Sequence, residues 1–197
     1  NNSYIDLTIS DAVYNSSFGS GALEVADFSL TFSQNSGNAT AVSITSIKKN
    51  DNIAEGSATA LSGGETVIRI FLSLTGSPSG VETIAISPVN ASSIFDGVGN
   101  AMASSETTGA VLLKDESIPH ITSVSLASDN STLAVTFSEA VFSTNGGTGN
   151  LVASDFSFSI SGGTATLSSN TPSSIVISSG NVYTLGISLT GIADGTE

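Results

Sequence analysis

The residues able to do chemistry in this chain are few and mostly of one kind. Its 197 residues include 17 carboxylates, one imidazole and no thiol. Carboxylate and amide oxygens suit Ca2+, which takes about 6–8 hard oxygen ligands and tolerates irregular loops. The candidate ligands are Asp11, Asp27, Asp96, Asn100, Asp115, Glu116, Glu139 and Asp155. Four of them pair across an internal repeat, Asp11 with Glu139 and Asp27 with Asp155. Asp96 and Asn100 bound a D-x-x-G-N element, and Asp115 and Glu116 lie between the two halves of the chain. For Asp27 and Asp155, each followed by Phe, the competing role is to cap a turn by accepting backbone N–H groups. No EF-hand loop or nonapeptide calcium repeat occurs.

Catalysis finds little to work with. The only histidine, His120, follows Pro119 in a linker-like stretch, whereas a Ser–His–Asp triad needs its imidazole held in a pocket. The absence of Cys excludes disulfides, thiolate metal sites and a cysteine nucleophile. A glycosidase-type carboxylate pair is disfavoured, because the repeat exchanges Asp11 for Glu139 and so displaces the carboxyl. The expectation is a protein that is not an enzyme. Lys–Asn crosslinks are not expected either. Lys48, Lys49 and Lys114 read as loop residues, and the second repeat contains no Lys. Sequons begin at Asn1, Asn15, Asn38, Asn90 and Asn130, marking surface positions if the host glycosylates.

The elements that position these residues come in duplicate. Residues 4–33 align without a gap on residues 132–161, and residues 67–82 align on residues 182–197. The first offset is 128 and the second 115, so the first repeat carries extra loop, expected around residues 48–57. Ile5, Leu7 and Ile9 alternate with polar residues, as do Leu133, Val135 and Phe137. Phe28, Leu30 and Phe32, then Ile68, Ile70, Leu72 and Leu74, continue the period of two. Glycine pairs such as Gly63-Gly64 and Gly162-Gly163 punctuate these runs. The pattern predicts an all-β chain of two tandem immunoglobulin-like antiparallel β-sandwiches, residues 1–114 and 115–197. The repeats are out of phase. The first lacks a counterpart of the strand-like residues 120–128, and the second stops where the first continues, as in a window on a longer array, so the missing strands are expected either from the remainder of a longer chain or from a neighbouring copy.

Composition narrows the partners. The formal net charge is −13 with only four Lys and Arg, so a run of phosphates or an anionic membrane surface would go unneutralised. Hydrophobic residues make up 39% and mean hydropathy is +0.28, enough for a packed core. Hydroxyls rather than charges cover much of the surface, with 38 Ser and 21 Thr. No apolar run reaches the ~18 residues of a membrane span. Together these features suggest an extracellular, bacterial-surface location.

The segments at 135–142 (VTFSEAVF), 155–156 (DF) and 95–102 (FDGVGNAM) resemble tandem bacterial immunoglobulin-like repeats of large adhesins and surface proteins, the cyanobacterial swimming-protein type included. The resemblance implies a non-catalytic segment of an extracellular fibre, adhesin stalk or surface coat, often calcium-stabilised. Its partners would be further repeats or neighbouring copies in a filament, with no nucleic acid and no membrane insertion. The alternative is a carbohydrate-binding, lectin-like module recognising a surface glycan. That reading is weakened because Trp is absent and Tyr4, Tyr14 and Tyr183 occupy strand-pattern positions.

Overall fold

Alternation of apolar and hydroxyl-bearing residues does produce strands. The computed structural model spans residues 1–197 and is all-β, its sheets antiparallel. Its contacts divide it into two compact units, Asn1–Ser117 and Ile118–Glu197. Asp115–Ser117 are bonded into the first unit: Glu116 N–H donates to the Pro78 carbonyl, and Asn38 Nδ2 donates to Ser117 Oγ. No helix is long and apolar enough to cross a membrane.

Unit 1 contains β1 (Tyr4–Tyr14), β2 (Phe28–Ser33), β3 (Ala41–Lys48), β4 (Glu65–Thr75), β5 (Thr83–Pro88), β6 (Phe95–Asp96) and β7 (Val111–Leu112). One sheet runs β3-β4-β1-β6 and the other β2-β5-β7. Inward residues of both sheets, including Val13, Ile47, Ile68, Ile70, Phe28, Ile84 and Ile86, share one core, an arrangement consistent with a β-sandwich. Burial of such aliphatic side chains is the main stabilising term, at about 1.5–3 kcal/mol for each one fully buried.

Unit 2 contains β8 (Ile121–Leu126), β9 (Thr132–Phe137), β10 (Thr166–Leu167), β11 (Ile175–Ser179), β12 (Val182–Gly186) and β13 (Leu189–Thr190). One sheet runs β11-β12-β9-β8, and β10 pairs with β13. Val135, Tyr183 and Leu185 form its buried centre. Phe137 and Tyr183 meet edge to face at 5.7 Å, with Phe156 closing the group at 6.2 Å from Tyr183.

The repeat is visible in the ladders. Ile70 of β4 pairs with Ile47, and its counterpart Leu185 of β12 pairs with Ile175. The extra loop of unit 1 runs from Lys49 to Gly64 between β3 and β4, whereas Gly180 and Asn181 alone join β11 to β12. Lys48, expected in a loop, is instead the last residue of β3, where it pairs with Arg69. Another difference is instructive. Phe28–Ser33 is a strand because β5 lies beside it, with Leu30 opposite Ile86. Phe156–Ser161 has the same alternation but no such partner, and it forms no ladder.

Candidate functional site

The carboxylates most firmly engaged by the fold are Glu82 and Glu197. Glu82 is 0% exposed. Its Oε1 accepts the Ala39 N–H at 2.8 Å and its Oε2 accepts the Ser79 N–H at 2.9 Å, tying together two loops distant in sequence. Desolvation pushes its pKa up, but the N–H groups of Ala39, Glu82 itself, Ser79 and Asn38 outweigh it and hold the carboxyl below its ordinary value. The repeat counterpart is Glu197. It accepts N–H groups from Thr164 and Ala165, both at 3.0 Å, and from Asp194 and Gly195. The Ala165 N–H leads in lowering its pKa, to about 2. Gly37 and Gly163 face these carboxylates so closely that a Cβ at either position would collide with the acid. These two Glu residues close both aligned blocks, yet as isolated acids they give no sign of the backbone N–H groups they gather. The informative signal is the matched Gly and Glu.

The eight residues expected as calcium ligands are dispersed. Asp27 and Asp155 each cap a three-residue 3-10 turn: Asp27 Oδ2 accepts the Glu24 N–H and Asp155 Oδ2 accepts the Val152 N–H, both at 2.8 Å. Burial is the leading influence on Asp27 and raises its pKa. Asp96 and Asn100 bind each other. Asp96 Oδ1 accepts the N–H groups of Val98 and Asn100, and Asp96 Oδ2 accepts Asn100 Nδ2 at 2.8 Å. These contacts, with the Asn100 side chain leading, lower the Asp96 pKa. Asp11 is exposed and accepts Ser10 Oγ. Asp115 accepts the Ser117 N–H, Glu116 is held through its main chain, and Glu139 lies in the bend after β9.

Only Asp11, Asp96 and Asn100 share a surface feature, a cavity of about 560 Å³ beside β1. Three side chains, with both Asp96 oxygens already accepting N–H donors, fall short of the ~6–8 oxygens of a calcium shell. No three His, Asp or Glu side chains gather as metal ligands. His120 is exposed at the start of unit 2, its main chain bonded to Ser138.

Unit 1 carries a cluster that its repeat lacks. Arg69 is buried on the outer face of its sheet. It donates to both Asp6 carboxylate oxygens at 2.7 Å and through Nη1 to the Asn52 carbonyl. Its guanidinium lies 3.8 Å from the Tyr4 ring centroid, and Tyr4 meets Phe71 edge to face at 6.1 Å. Asn52 belongs to the loop that unit 2 omits. At the counterpart positions unit 2 has Thr132, Ala134, Thr184 and Gly186 in place of Tyr4, Asp6, Arg69 and Phe71. The loop and the four side chains beneath it are therefore present or absent together.

No family model, no curated protein and no solved structure matches the chain.

Proposed function

We propose that the chain is a non-catalytic structural segment of an extracellular fibre, adhesin stalk or cell-surface coat, built from tandem immunoglobulin-like repeats. One observation carries this reading: what the two units hold in common is scaffolding. The Glu82 and Glu197 staples and the Asp27 and Asp155 caps recur at matched positions with matched backbone partners. Arg69, whose counterpart in unit 2 is Thr184, serves packing, and the Asp96–Asn100 pair serves turn geometry. The hydroxyl-rich, acidic, Lys-poor composition agrees with an exported protein.

A lectin-like module is the second reading, and the aromatic residues weigh against it. Tyr183 is 3% exposed in the unit 2 core, and Tyr4 lies beneath Arg69. Phe18 is exposed but has no aromatic stacking partner. The discriminating experiment combines limited proteolysis of intact source cells with glycan-array binding of the purified chain. Cleavage of the protein from intact cells together with a blank array supports the structural segment. Selective, saturable glycan binding overturns it in favour of the lectin, and protection in intact cells with release only on lysis removes the surface location.

A further inference from the structure

We propose that Asn145 is a self-modification site: its side chain closes onto the Gly146 nitrogen as a succinimide, which water opens to aspartate or isoaspartate. Asn145 is the one asparagine in the chain that precedes a glycine. It lies at the tip of a tight loop closed by the Thr144–Thr148 bridge, where the Thr144 N–H donates to the Thr148 carbonyl at 3.2 Å. Asn145 and Gly146 are both exposed, and neither the Asn145 amide nor the Gly146 N–H has a hydrogen-bond partner. The reacting groups are thus open to water and unrestrained by bonds to the fold.

The reaction balances with water as its sole co-reactant. The Gly146 main-chain nitrogen attacks the Asn145 Cγ, a C–N bond forms and the Cγ–Nδ2 bond breaks. Ammonia leaves, carrying the proton from the Gly146 nitrogen. Water then cleaves one of the two imide C–N bonds. Cleavage at Cγ gives aspartate, and cleavage at the main-chain carbonyl gives isoaspartate, whose backbone runs through the former side chain. Glycine suits the attacking position because it lacks a Cβ and rotates freely. Gly146 has φ +91°, nothing beyond its chain neighbours lies within 4 Å of where a Cβ would stand, and Gly147 follows with φ +72°.

Other amides are held by the fold. Asn35 Nδ2 donates to the Val81 carbonyl at 2.9 Å, Asn100 Nδ2 to Asp96, and Asn181 Nδ2 to the Phe137 carbonyl at 2.7 Å. The two Asp–Gly sequences, which close the same ring more slowly, are engaged as well. Asp96 accepts the Val98 and Asn100 N–H groups, and Asp194 Oδ1 accepts the Thr196 N–H at 3.0 Å. The repeat isolates the site further. Ser17 and Phe18 stand at the counterpart positions, so the matched tip of unit 1 has no amide to react.

Each event adds one negative charge to a chain of formal charge −13, since the new carboxyl is ionised at neutral pH. The isoaspartate form also adds one main-chain atom inside the Thr144–Thr148 bridge. Ageing of the protein is thereby recorded at one loop of unit 2. The inference rests on the chemistry and geometry of that loop and holds independently of the function proposed above.

The purified full chain, held in neutral buffer and sampled over weeks, is expected to accumulate a form one charge more acidic on isoelectric focusing. Peptide mapping should find isoaspartate at position 145 and intact amides at Asn35 and Asn100. The Asn145→Gln variant, altered at an exposed tip, should lose the acidic form while keeping the parent's circular dichroism. Persistence of the acidic form in Asn145→Gln overturns the proposal. So does isoaspartate spread at comparable levels over several asparagines, or an Asn145 that reacts only after denaturation.

Discussion

The Glu82 carboxylate accepts the Ala39 N–H at 2.8 Å, and Glu197 makes the corresponding bond to Ala165 at 3.0 Å. A buried acceptor for two loop N–H groups organises the end of the sandwich, because each loop would otherwise present unpaired donors. Glu82→Ala leaves those donors unpaired, and the expected loss in unit 1 stability is about 1–3 kcal/mol. Gly37→Ala drives a Cβ into the same carboxylate and should lower unit 1 stability while leaving unit 2 unchanged. Urea denaturation followed by probes in each unit measures both effects.

Acid should weaken both staples. A carboxylate whose folded pKa is depressed adds stability above its unfolded value, and that contribution is lost as pH falls through the folded pKa. For Glu197 the window runs from 4.5 down to about 2. Glu82 is shifted in the same direction. Denaturant midpoints should therefore fall as pH drops below 4.5, and Glu197→Gln should flatten the unit 2 part of that curve. A Glu197→Gln profile parallel to the parent's would refute this role.

Arg69 joins two strands and a loop through Asp6 and Asn52. Arg69→Leu strands the Asn52 carbonyl and removes the ion pair. Since the Asp6 side chain is 37% exposed, the expected cost is at the moderate end, about 1–3 kcal/mol. Hydrogen exchange should show the Lys49–Gly64 loop losing protection first. Unchanged exchange in that loop contradicts the assignment of Arg69 as its anchor.

The two caps should behave as equals. Asp27→Ala and Asp155→Ala each remove one carboxylate-to-backbone bond at a 3-10 turn, and each should lower the midpoint of its own unit by about 1 kcal/mol. Stabilisation of the parent by added Ca2+ that both variants lack would show that these acids bind the ion instead.

Much of the fold is legible as alternation, because a half-buried strand must present every second side chain to the core. Ile68, Ile70 and Leu72 follow that rule and line the core. Alternation does not specify a ladder, however. Phe28–Ser33 and Phe156–Ser161 carry the same pattern, and only the one with β5 beside it becomes a strand. The caps are readable as one of two roles for Asp27 and Asp155. The staples are not, since burial of Glu82 depends on loops that close around it from distant parts of the chain. Arg69 is similar. Its place in an apolar run marks it as outward-facing, while its burial comes from the loop that unit 2 lacks.

As the structural segment proposed above, the chain would carry load through two separately folded units. Single-molecule stretching of the full chain between its ends tests it most directly. The units comprise residues 1–117 and 118–197. Two discrete unfolding events are predicted, releasing roughly 400 Å and roughly 280 Å of extended chain at about 3.3–3.6 Å per residue. Extension without force peaks, or a single event releasing the whole length, contradicts it.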